Sequence, residues 1–158
     1  VAFCFDLASF QFAEKRRVLV CLSAASLLIA AHFWLLETHT AAVIAVIAGV
    51  RFMVAMVSSA RWLVVLFLAM IVVTAISTYS GLLTILVSLS STLSTMGAFQ
   101  SSDRRFRLLL MGSTVLMVLH NLLVFTPAGV FLELFFLGSN LVGYYRHYLR
   151  RPRLRQVD

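Results

Sequence analysis

Apolar residues in this chain come in long, nearly unbroken runs at 22–36, 41–57, 62–79, 82–99, 108–125 and 128–145, separated by short polar gaps. At about 1.5 Å per helical residue, such runs reach across a hydrocarbon layer roughly 30 Å thick. No water pairs the backbone inside lipid, so each N–H and C=O must be satisfied within its own segment. The runs are therefore expected to be helices, near 1–12, 18–37, 40–58, 62–79, 82–99, 107–125 and 128–147. Pro127 fits the first turn of the last one, where its missing N–H costs nothing. The opening run, at twelve residues, measures only about 18 Å as a helix and is expected to be a first helix lacking its opening turns.

Composition fixes the class. Of 158 residues 61% are hydrophobic and 12% charged, with mean hydropathy +0.99. Soluble domains carry about 25% charged residues, so this is an all-α polytopic membrane bundle with no room for an extramembrane domain.

The net charge of +7 is placed at helix ends. Lys and Arg number three in the gap after the first helix, one (Arg61) after the third, three around 104–107, and five from Arg146 to Arg155. The second, fourth and sixth gaps have none. That alternation is a topology signal, with the basic side cytoplasmic. It gives an outside N-terminus, a cytoplasmic C-terminus and a multi-pass protein of a plasma (inner) membrane. Clusters at helix ends touch lipid headgroups, and without a soluble surface a nucleic-acid partner is excluded.

The chain also repeats. Phe10-Gln11 recurs as Phe99-Gln100 and Glu14-Lys15-Arg16 as Asp103-Arg104-Arg105, 89 residues on; His32 recurs as His120 and Thr38 as Thr126, 88 residues on. The expected plan is a single transmembrane domain. One triplet spans about 1–58, a linker helix about 62–79, a second triplet about 82–147, and a basic tail 148–158. An odd linker makes the triplets parallel, the 3+1+3 plan of SWEET transporters.

Polar residues at depth are the candidate chemistry, because each costs a few kcal/mol at a helix centre. Glu133 and Asn140 lie two turns apart on one helix face, Arg51 lies inside the third helix, and His32 and His120-Asn121 lie toward the arginine-free ends. Each has a bland reading beside the functional one: interhelical hydrogen bonding for Glu133, Asn140 and the histidines, snorkelling for Arg51. Asp6 is an available acid for Arg51. Asn140 and Arg51, counterparts at an offset of 89, are expected to face one cavity, with Glu133 and His120 nearer its outer mouth. Ser88, Ser90, Ser91, Thr92, Ser94 and Thr95 either allow close helix packing or line a polar passage; they cover more than one face of their helix, so close packing is at least part of their role. Cys4 and Cys21 lack metal-ligand spacing, and a disulfide between them stays open. There is no HExxH, phosphate loop, CxxC or nucleophile elbow, so neither a cofactor, a metal nor an enzyme is expected.

The string His32-Phe33-Trp34-Leu35-Leu36 with Thr38 and Arg51, then His120-Asn121, Glu133, Asn140 and Arg146 at their present spacings, resembles the two halves of the YgjV-type bacterial inner-membrane protein family. The likeness runs from about Val1 to Arg150. It implies a bacterial inner-membrane location and kinship with the SWEET, PQ-loop and vitamin-uptake proteins, although the PQ dipeptide is absent. One departure is Ala48, three residues before Arg51, where that family tends to carry asparagine. The resemblance carries fold and location rather than a substrate. The expected function is small-solute transport at a site between the triplets, with a non-transporting protein that supports a larger membrane complex as the alternative.

Overall fold

The computed structural model describes residues 9, 11–12, 14–35, 37, 39–77, 79 and 81–150. They form six α-helices and no strand: α1 (Lys15–Leu35), α2 (His39–Val57), α3 (Arg61–Ser77), α4 (Leu82–Ala98), α5 (Asp103–Leu123) and α6 (Pro127–Tyr144), which runs on into a wider π-helical turn, Tyr145–Arg150. The helices are 17 to 21 residues long, or about 25 to 32 Å. The helix expected over 1–12, and Asp6 within it, lies outside the described residues apart from Ser9, Gln11 and Phe12.

Helix starts fall earlier than the hydrophobic runs suggest. α5 begins at Asp103 rather than 107, and α1 at Lys15 rather than 18. For α5 the reason is capping. Ser102 accepts from the Arg105 N–H, and Asp103 in the first turn suits the positive end of the helix dipole. Basic residues mark where water begins, while the backbone continues to coil beyond that point.

Gly81 sits at φ +81° ahead of α4, a left-handed conformation that a side chain would strain. At the other hairpin, α6 packs so closely that a Cβ on Gly129 would lie 2.9 Å from the Asn121 side chain.

Serine hydroxyls join neighbouring helices. Ser90 on α4 and Ser113 on α5 each donate to the other's backbone carbonyl, at 3.0 and 2.9 Å, with their oxygens 2.8 Å apart. Ser23 on α1 donates to the Gly49 carbonyl of α2 at 3.2 Å. The apolar core is lopsided. Val18, Leu19, Leu22, Phe52, Ala55, Leu63, Phe67, Ala98, Phe99, Phe106 and Leu110 form one buried cluster, and all lie toward the basic ends of their helices. Elsewhere large apolar side chains face outward, as Val65, Val72, Val73 and Ile76 do on α3. So much exposed apolar surface belongs in contact with a lipid bilayer.

Candidate functional site

Above that core, in the half of the bundle away from the basic ends, α2, α3 and α4 enclose a cavity of about 450 Å³. Its walls run from Ile44, Ala75 and Leu83 near the arginine-free ends down to Arg51, Phe67 and Thr95. One face is aliphatic; the other carries the hydroxyls of Thr84, Ser88, Ser91 and Thr95, which recur on α4 at helical spacing. His120 of α5 also lines it.

Arg51 forms the inner end. It lies six residues from the end of α2, about 9 Å along the axis. Its Nη1 donates to Thr95 Oγ1 at 2.9 Å and its Nη2 to Ser94 Oγ at 3.0 Å. The Thr95 hydroxyl spends its own hydrogen on the Ser91 carbonyl at 2.7 Å, so it can only accept from the guanidinium. The Phe52 ring lies 4.9 Å from the guanidinium carbon, within cation–π range. Arg51 Nε has no hydrogen-bond partner among the described residues, and no carboxylate there pairs with the side chain. Beneath it Phe67 and Phe99 pack ring against ring at 5.9 Å, and both belong to the buried core.

Of the residues expected to share a site, the structure brings Arg51 and His120 to this cavity. Asn140 is not among the described lining residues. It is fully buried, its Nδ2 donates to the Arg107 carbonyl of α5 at 3.1 Å, and its Oδ1 has no partner among the described residues. Glu133 is half-buried two turns away on α6, and His32 is exposed in the last turn of α1. Asn121 is held in the α5–α6 hairpin: its carbonyl accepts the Thr126 N–H and hydroxyl at 3.0 and 3.1 Å, and its Oδ1 stands 3.4 Å from His120 Nδ1.

Among helix limits, Val57 and Tyr144 stand 87 residues apart, while Lys15 and Asp103, Leu35 and Leu123, and His39 and Pro127 stand 88 apart. At the latter spacing the counterpart of Arg51 is Ser139. Asn140 is one residue further, about 100° around the helix. The residues that sequence reasoning passed over are Ser94 and Thr95 as partners of Arg51, and Ala48, whose small side chain leaves the cavity open one turn from it.

The basic end is tied shut by polar contacts. The Lys15 N–H donates to Asp103 Oδ1 at 3.2 Å, Lys15 Nζ to the Gln100 carbonyl, and Arg107 to the Phe12 carbonyl. Gln11 reaches Ser139 at 3.3 Å, and its carbonyl lies 3.1 Å from His147 Nε2.

These apolar helices, framed by basic ends, match the Imp-YgjV family, described as bacterial inner membrane protein, over residues 1–151. The chain belongs to that family. It is similar to the inner membrane protein YgjV of Escherichia coli (strain K12), with 24% identity over 149 residues that cover 92% of this chain and 81% of that protein. No solved structure matches it. Membership places this Imp-YgjV protein among bacterial inner membrane proteins and agrees with its lipid-facing surface.

Proposed function

We propose that this protein is a small-solute transporter, with the α2–α3–α4 cavity as its binding site. One observation carries the reading: the two halves of the bundle are filled unequally. The arginine-free half holds a polar-walled cavity, and the basic half holds a packed aromatic core directly beneath Arg51. A carrier caught open on one side has this form, with a cavity on the open side and close packing on the other. The Lys and Arg distribution makes the basic side cytoplasmic, with the N-terminus outside, so the cavity opens outward. Three of the four helix limits of α1 and α2 recur 88 residues on in α5 and α6, which supports two parallel triplets about the linker helix α3. The buried Asn140–Arg107 tie favours a second reading, a non-transporting protein that packs into a larger complex.

Flux separates the two. Proteoliposomes would be loaded with a defined mixture of sugars, amino acids, nucleosides and small carboxylates, and the retained solutes measured by mass spectrometry. A transporter depletes a subset of the mixture, and Ala48→Phe, which fills the cavity, stops the loss. A scaffold protein retains every solute as empty liposomes do.

A further inference from the structure

We infer that the cavity takes an amphipathic organic monoanion, its carboxylate-like head on Arg51 and its apolar body along Ile44, Ile47, Met70 and Val87; this rests on the proposed transport site. The charge balance of the cavity points there. Arg51 brings a full positive charge about 9 Å inside the bundle, and no acidic residue occurs among the described residues that line the cavity. Of the five N–H donors of a guanidinium, two go to the hydroxyls of Thr95 and Ser94. Those hydroxyls hold the fork in place but carry no charge, and Nε–H has no partner among the described residues. A guanidinium so placed favours a planar, bidentate anion.

The walls set the rest of the ligand. Among the described residues that line the cavity, Arg51 is the one permanent cation, and one such charge matches a single negative charge. The aliphatic face contributed by α2, α3 and Val87 suits a hydrocarbon or aromatic body, while the Ser91 hydroxyl, one turn from Thr95, is placed toward the head. A cationic solute would meet Arg51 as a like charge. A neutral one would leave the guanidinium without a negative partner among the described residues. Such a head on an apolar body could reach the cavity as a free solute or as an anionic lipid entering from the bilayer.

The test uses three molecules of one shape: 4-phenylbutyrate, 4-phenylbutanol and 4-phenylbutylamine, each titrated against the full chain in nanodiscs of zwitterionic lipid. Binding is read by ligand-induced thermal shift. We expect the carboxylate to bind about ten- to a hundredfold more tightly than the alcohol, as for a charge-assisted hydrogen bond, and the amine not at all. Arg51→Gln removes the preference. Ala48→Phe, which leaves Arg51 in place, blocks binding and so covers the case in which Arg51→Gln fails to fold. Equal binding of alcohol and carboxylate, a preference that survives Arg51→Gln, or no binding by any of the three would overturn the inference. Adding phosphatidylglycerol to the nanodiscs distinguishes the sources: undiminished 4-phenylbutyrate binding points to a free solute, and competition to a lipid head. Should the anion preference fail while the flux assay still shows selective, Ala48→Phe-sensitive loss, the transport reading stands and only the ligand class is wrong.

Discussion

Arg51 is placed at a cost to stability, and that makes its role measurable. A guanidinium near a helix centre in a membrane costs a few kcal/mol, and here two hydroxyls and one ring offset only part of it. Arg51→Met keeps the length of the side chain and removes the charge. It is expected to leave stability unchanged or to raise it by up to about 3 kcal/mol, as replacing poorly compensated buried charge does. A structural Arg51 would instead show a clear loss in the thermal unfolding of the variant in nanodiscs. Asn140 gives the opposite expectation. Its amide joins α6 to α5, so Asn140→Ala should lower stability by about 0.6 kcal/mol and leave 4-phenylbutyrate binding intact. Both residues were legible in the sequence as expensive polar groups at depth. Which one lines the cavity was not, because one residue along a helix turns a side chain by about 100°, and spacing along the chain does not show which face meets which neighbour. The partners of Arg51 were visible only as a run of serines and threonines, and the burial of Arg107 was hidden among arginines that read as a topology signal.

At the scale of helices, positions followed closely from the apolar runs. The expected 82–99 and 40–58 correspond to α4 at Leu82–Ala98 and α2 at His39–Val57. The physical reason is strict: lipid allows a spanning segment no backbone alternative to helix. Pairing between helices was less legible, since exposed and packed faces are equally apolar and α4 carries hydroxyls all round. Contact resolves them into two sets. Ser88, Ser91 and Thr95 line the cavity, while Ser90 bonds Ser113 on α5. A double-mutant cycle on Ser90→Ala and Ser113→Ala should return a coupling of about 0.6 to 1.7 kcal/mol, read from unfolding in bicelles. A value near zero would mean that the two hydroxyls do not join these helices. Gly129→Val is expected to cost about 1–3 kcal/mol, because its first carbon already meets the Asn121 side chain, which must give way.

At the scale of the whole molecule, orientation in the membrane and access to the cavity are both open to direct test. With Cys4 and Cys21 replaced, a cysteine at Arg104 should resist an impermeant thiol reagent applied to intact cells, while one at Thr126 should label. That outcome follows from Lys and Arg lying on alternate gaps, and the reverse pattern would invert the protein. The central claim, that the cavity above Arg51 serves both sides of the membrane in turn, is tested most directly at Ser91, which lines the cavity one turn from Thr95. A cysteine there, in sealed right-side-out and inside-out vesicles, would be treated with a small water-soluble thiol reagent. A carrier exposes the position to each side in turn, so labelling is expected in both preparations, with Ala48→Phe suppressing it in both. Labelling from one side only, with the aromatic core at the basic end never opening, would contradict transport and leave a membrane protein with a one-sided pocket.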